Sequence, residues 1–198
     1  SSGTFSEIIL EQALARAGMT MDDINTVEMT VDGMTTAMIS GQIDAAASWS
    51  PNTVTLQNAL GDNYVDLGTN ADFLDSAIFP SSYICTPEYA EANHDILVRF
   101  AQALDKAHDW RAAHPEEMAK LLAKELDAPE DTMLAAVGEA DWQTITEVCG
   151  DMDAIKTVYE TQQGIFLDNG TITENVPVED YVLFDVMQEA YDAYSAAK

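Results

Sequence analysis

Ser2, Gly3, Thr4 and Ser6 stand together in SSGTFSEIIL, at what reads as the mouth of a helix. The first N–H groups of a helix lack partners inside it and sit at the positive end of its dipole, so these residues could hold an oxygen of a carboxylate, sulfonate or nitrate. Small side chains let such a ligand approach the backbone. The alternative is local: Thr4 followed by Glu7 matches a capping box, which would spend Thr4 on its own helix. Trp49 closes the run IDAAASW and offers an indole face to a planar ligand or a cation, or else packs half-buried. Ser50 and Asn52 flank Pro51 beside it as hydrogen-bond donors. Ser81, Ser82 and Tyr83, in AIFPSSYICTPEY, either face a ligand or form a turn after Pro80. Trp142, in EADWQTI, either closes a far wall or packs a helical layer. All of this is the chemistry of capture rather than of bond making.

Signs of catalysis are scarce. There is no G-x-S-x-G elbow, phosphate loop, G-x-G-x-x-G after a strand or HExxH. His94, His108 and His114 are spaced fourteen and six apart, without the i, i+4 pairing of a helical metal site, and read as surface or capping residues. Arg16, Arg99 and Arg111 each fall in an amphipathic helix beside acidic neighbours, so none is an obvious anion clamp. Cys85 and Cys149 fit neither a zinc site nor a disulfide framework and read as buried thiols, with one long-range disulfide as the alternative. No metal and no cofactor is expected.

The chain has 198 residues, of which 47% are hydrophobic, enough for one ordinary domain or two small lobes. Against 35 acidic residues stand only 8 Lys and Arg, for a formal net charge of -27. That field repels nucleic acid and anionic lipid and excludes them as expected partners. It leaves room for a cationic or zwitterionic small molecule. No apolar run approaches the ~18 residues of a membrane span.

Positioning these residues requires elements. Phe5, Ile8, Ile9, Leu10, Leu14 and Ala17 recur at helical spacing up to Gly18. Val27, Met29 and Val31 alternate, which predicts a strand; GMTTAMISGQ predicts a short helix, IDAAASW a buried strand, NTVTLQNAL a helix after Pro51, and NYVDLGTN a third strand. The order implies an α/β unit with a mostly parallel sheet over residues 1–79. From Pro87 onward the pattern is helical, in PEYAEAN, HDILVRFAQALDKAHDWRAAH, PEEMAKLLAKEL, PEDTMLAAVGEA, MDAIKTVYETQQGIFLDNG and VEDYVLFDVMQEAYDAYSAA. Residues 80–198 therefore form a crossing segment followed by a helical part.

The order of these elements, with Ala17-Gly18, Asp22-Asp23, Gly41-Gln42-Ile43-Asp44-Ala45 and Trp49-Ser50-Pro51, resembles the substrate-binding proteins of ABC transporters of the nitrate, sulfonate and taurine type, the NMT1/THI5-like group included. PEYAEANHDILVRFAQALDKAHDWRAAHPEEMAKLLA and GIFLDNGTITENVPVEDY continue the likeness downstream. The resemblance implies a type II periplasmic-binding-protein fold, with two α/β lobes closing by a hinge on a ligand between them. In that frame residues 1–79 are lobe two, and residues 80–198 carry the helical part of lobe one, whose N-terminal half, roughly 80 to 100 residues, would precede residue 1. It further implies a bacterial importer, ABC permease subunits as partners, an extracytoplasmic location, and a membrane reached only through an N-terminal lipid anchor outside this sequence. Nitrate, a sulfonate, an aromatic carboxylate or a thiamine-precursor-like amine would be the ligand, the acidic field leaning toward the last two. Two rivals follow. An enzyme on the same fold, similar to pyrimidine-precursor synthases or desulfinases, should carry a cysteine- and histidine-bearing active segment that is not visible. An acidic interaction domain would instead take a basic protein partner.

Overall fold

A computed structural model of the chain describes residues 5–73, 80–139 and 142–198. Among them the regular structure is α-helical: α1 (Phe5–Arg16), α2 (Val31–Ile39), α3 (Asn52–Leu60), α4 (Pro87–Ala92), α5 (His94–Ala113), α6 (Pro115–Leu126), α7 (Glu130–Ala135), α8 (Ile145–Cys149), α9 (Met152–Asp168) and α10 (Phe184–Ala196). Short 3₁₀ turns stand between several of them. The chain divides into two compact units, residues 1–78 with 119–140 and residues 79–118 with 141–198.

In the first unit, α2 and α3 pack together and α3 also meets α7. Thr35 and Ala37 are buried on α2, Val54 and Leu56 on α3, and Ile8 and Leu14 on α1. Two helices end by the same device. Gly18 after α1 and Gly41 after α2 have φ of +73° and +70°, the left-handed conformation that glycine adopts without a Cβ clash. The turn lets Met19 N–H reach Leu14 O at 2.9 Å and Gln42 N–H reach Ala37 O at 2.9 Å, satisfying a carbonyl at each helix end. Past α3 the Phe73 ring is 4% exposed and carries the Arg16 guanidinium 4.3 Å from its centroid.

The second unit is built on α5 and α10, whose shared core is Val98, Val186 and Ala190 with Leu97 and Ala101 packed against it. Ala190 is wholly buried, so the helices meet where a side chain is smallest. The short α8 packs against α5, α9 and α10. Its start is a reciprocal capping box, with Thr144 Oγ1 accepting from Glu147 N–H while the Glu147 carboxylate accepts from Thr144 N–H at 2.7 Å. After α9 the buried Gln163 amide clips the following loop, donating to Val176 O at 2.9 Å and accepting from Val176 N–H at 2.8 Å.

Three expectations are corrected. The strands at 27–31, 43–49 and 63–70 do not form: Val31 opens α2, Asn63 and Asn70 belong to 3₁₀ turns, and residues 24–30, 43–49 and 64–69 hold no regular element. Local conformation agrees with the sequence, since Thr30 and Tyr64 are extended, at φ -64°, ψ 155° and φ -76°, ψ 126°. What is absent among the described residues is a neighbouring segment to complete a ladder, and a strand exists only in a pair. Val27, Val65 and Leu67 accordingly stand 61%, 72% and 70% exposed. Second, Cys85 is exposed, because the segment before α4 runs over the surface; Cys149 is buried as expected. Third, VEDYVLF is not the start of α10. Val178–Asp180 form a single 3₁₀ turn and the helix begins at Phe184. The helical reading from Pro87 onward otherwise holds, with Thr86 capping α4 and Pro87 in its first turn.

Candidate functional site

Of the residues singled out from the sequence, Trp49, Ser50 and Asn52 are brought together by the turn that feeds α3. Trp49 O accepts from Asn52 N–H at 3.0 Å, closing the turn, and the Ser50 and Thr53 hydroxyls lie 3.2 Å apart. The Asn52 carboxamide reaches toward α2, where Thr35 Oγ1 lies 3.4 Å from its oxygen while also donating to Val31 O at 2.9 Å. Trp49 is 49% exposed. The first unit thus offers a half-exposed indole, two hydroxyls and a carboxamide around the N-terminal end of a nine-residue helix. Such an arrangement can stack on a flat ligand and share hydrogen bonds with it.

The remaining candidates fall elsewhere. Ser6 is in the first turn of α1 and 8% exposed, packed rather than presented. Ser82 and Tyr83 belong to the second unit, where the Ser82 hydroxyl is hydrogen-bonded to the Tyr159 hydroxyl at 2.7 Å and Tyr83, 75% exposed, meets Phe100 edge to face at 5.2 Å. Ser2, Gly3 and Thr4, with residues 77–79 of the expected crossing segment, lie outside the described residues.

The second unit also holds a polar cluster that the sequence reading missed. An open cavity of about 490 Å³ is lined by Asp109, Ala112, Ala113, Trp142, Thr144, Thr146, Glu147 and Lys198. At its edge the Asp109 carboxylate accepts from Ile145 N–H at 2.8 Å and from the Tyr194 hydroxyl at 2.7 Å, and pairs with the Lys198 ammonium. Burial alone would raise the Asp109 pKa, but these hydrogen bonds, Lys198 foremost, hold it below the ordinary carboxylate range. Trp142 lines the cavity and also packs under Arg111, whose guanidinium is 4.7 Å from the indole centroid. One turn before Asp109, Asp105 is buried with its Oδ2 unpartnered among the described residues. The available signal was two carboxylates at i and i+4 on the face of α5 that also carries Val98 and Ala101.

Burial, and then the charge of Asp105, push the Cys149 thiol up to about 11, so it stays protonated and non-nucleophilic near neutrality. His94 and His114 are placed at the ends of α5, His94 beside Glu189 and His114 with Nδ1 2.9 Å from Trp110 O. No group of three His, Cys, Asp or Glu among the described residues could hold a metal ion, and no helix there is long and apolar enough to cross a membrane.

Comparison with known proteins brings one family forward. The profile described as NMT1/THI5 like matches residues 1–118. The proteins named "Putative binding protein" of Brucella abortus (strain 2308), Brucella suis biovar 1 (strain 1330) and Brucella melitensis biotype 1 are each 34% identical over 122 residues, 62% of this chain and 38% of theirs. The match therefore spans about two fifths of the length of these curated relatives. No solved structure matches the chain.

Proposed function

The chain belongs to the NMT1/THI5-like family, and on that premise we propose that it is the solute-binding component of a bacterial ABC importer, which captures a small molecule and hands it to a permease on the outer face of the membrane. The observation that carries this reading is the family match over residues 1–118 together with relatives that are named as binding proteins. Two features of the chain fit it. The Trp49, Ser50 and Asn52 turn supplies an aromatic face and several hydrogen-bonding groups in a small space, as small-molecule sites do. The net charge of -27 favours a thiamine-precursor-like amine over nitrate or a sulfonate, and the half-exposed indole of Trp49 suits the ring of an aromatic carboxylate. Affinity would come from stacking on Trp49 and from the polar groups of Ser50 and Asn52. No bond is made or broken.

The test is a thermal-shift and native mass-spectrometry screen of those four ligand classes, followed by titration of the best binder against Trp49→Ala. Stacking on an indole contributes about 1–2 kcal/mol, so the variant should bind roughly tenfold more weakly. Full affinity in the variant would remove Trp49 from the site, and binding of none of the four classes would overturn the reading itself.

A further inference from the structure

At the junction of α5, α8 and α10 an acidic side chain is buried with one carboxylate oxygen unpartnered among the described residues. Asp105 is 6% exposed, and its Oδ2 has no hydrogen-bond partner among the described residues. The groups that face it are Asp109 from its own helix, Cys149 from α8, and Tyr194 and Lys198 from α10. The one cation among them is committed elsewhere, because the Lys198 ammonium is paired with Asp109. Cys149 is 8% exposed and protonated, and the Tyr194 hydroxyl already donates its hydrogen bond to Asp109. An ionised carboxylate at Asp105 therefore meets a like charge one turn away and a thiol that cannot neutralise it. Removing such a charge from water without a partner is among the costlier things a fold can do, and protonation is the usual release.

We propose that Asp105 makes this junction a proton-controlled latch: with the carboxyl protonated, α8 and the last turns of α10 stay seated on α5, and with it ionised, repulsion from Asp109 and the unmet need for water loosen them. Burial first, and the charge of Asp109 second, lift Asp105 from the ordinary carboxylate range to about 6, with Lys198 pulling the other way. The sign follows from proton linkage. Between the ordinary carboxylate range and about 6 the folded junction retains a proton that the opened chain has released, so closure weakens as pH rises through that window. Above about 6 the loosening is complete, and below the ordinary carboxylate range it is absent. A shift of about two units corresponds to roughly a hundredfold change in the opening equilibrium.

Hydrogen exchange of the whole chain, corrected for intrinsic rates, reads that equilibrium at the amides of α8 and of residues 186–196. From pH ~4 to pH ~7 the opening constant there should rise roughly a hundredfold, and in Asp105→Asn that rise should vanish while protection at pH 7 increases. An unchanged pH profile in Asp105→Asn would overturn the proposal. Should that variant fail to fold, the unaltered protein decides by carboxyl-carbon NMR: titration of Asp105 with a midpoint near 6 supports the latch, and a midpoint in the ordinary carboxylate range overturns it.

Discussion

The Trp49 turn of the first unit and the α5, α8 and α10 junction of the second handle polar groups in opposite ways. In the turn, Ser50 has the Thr53 hydroxyl, Asn52 has Thr35, and the indole is half in water. Every polar group there can exchange one partner for another at small cost, which is what a surface that takes up and releases a ligand requires. In the junction, Ile145 is 3% exposed, Ala190 is wholly buried and Asp105 lacks a partner. The buried oxygen of Asp105 has no partner to fall back on, so a change beside it is felt as stability or as proton affinity. On the proposed function, ligand binding and the buried core fall to different parts of the chain.

If that division is right, the largest loss of stability should come from the junction. Ile145→Ala removes a buried side chain at the base of α8 and should cost about 2–5 kcal/mol in urea unfolding; a loss below ~1 kcal/mol would mean that the junction is no tighter than the turn. Helix caps give a matched pair across the comparison. Thr144→Ala breaks a reciprocal capping box and should cost about 1–1.5 kcal/mol. Thr30→Ala on α2, where Thr30 Oγ1 accepts a single bond from Gly33 N–H at 3.3 Å, should cost about 0.5–1 kcal/mol. Equal losses by denaturant titration would erase the contrast. Trp49→Ala should change stability by no more than ~0.5 kcal/mol while weakening ligand binding, because the ring is already half exposed.

The smallest effect is expected at His94, on the surface between α5 and α10. Its hydrogen bond to Glu189 at 3.0 Å raises its pKa, and the charges of Glu189, Asp185 and Asp95 add to this. The folded chain then holds the proton more tightly than the unfolded one. The resulting contribution is fully present below the ordinary histidine pKa and is lost as pH rises through the raised value. A His94→Gln variant should match the parent in melting temperature at pH ~9 and fall slightly below it at pH ~5. The reverse order would show that the ion pair does not favour the folded state.

Much of the helical architecture was legible because its signals are local. α5, α6 and α9 announce themselves by apolar residues at 3.6-residue spacing, and Pro87, Pro115, Gly18 and Gly41 mark starts and stops whose backbone angles suit only such places. α8, with its Thr144 and Glu147 capping box, went unread, because five residues are too few to show a period. The strands were overread for the opposite reason. Alternation at Val27, Met29 and Val31 is a true local preference, and it becomes a strand only when another segment supplies hydrogen bonds. Trp49, Ser50 and Asn52 could be grouped in advance because three neighbours in a turn need no fold to bring them together.

What the sequence alone determined is therefore what short-range physics determines: where helices start and stop, the acidic field, the absence of familiar catalytic motifs, and the likeness to a binding-protein family. The tertiary structure alone decided which extended segments go unpaired and which side chains lose their water. Asp109 meets Tyr194 across 85 positions and Ile145 across 36. Nothing in local preference encodes those meetings; they arise when α10 and α8 close on α5 to bury Val98, Val186 and Ala190, and carry Asp105 out of solvent.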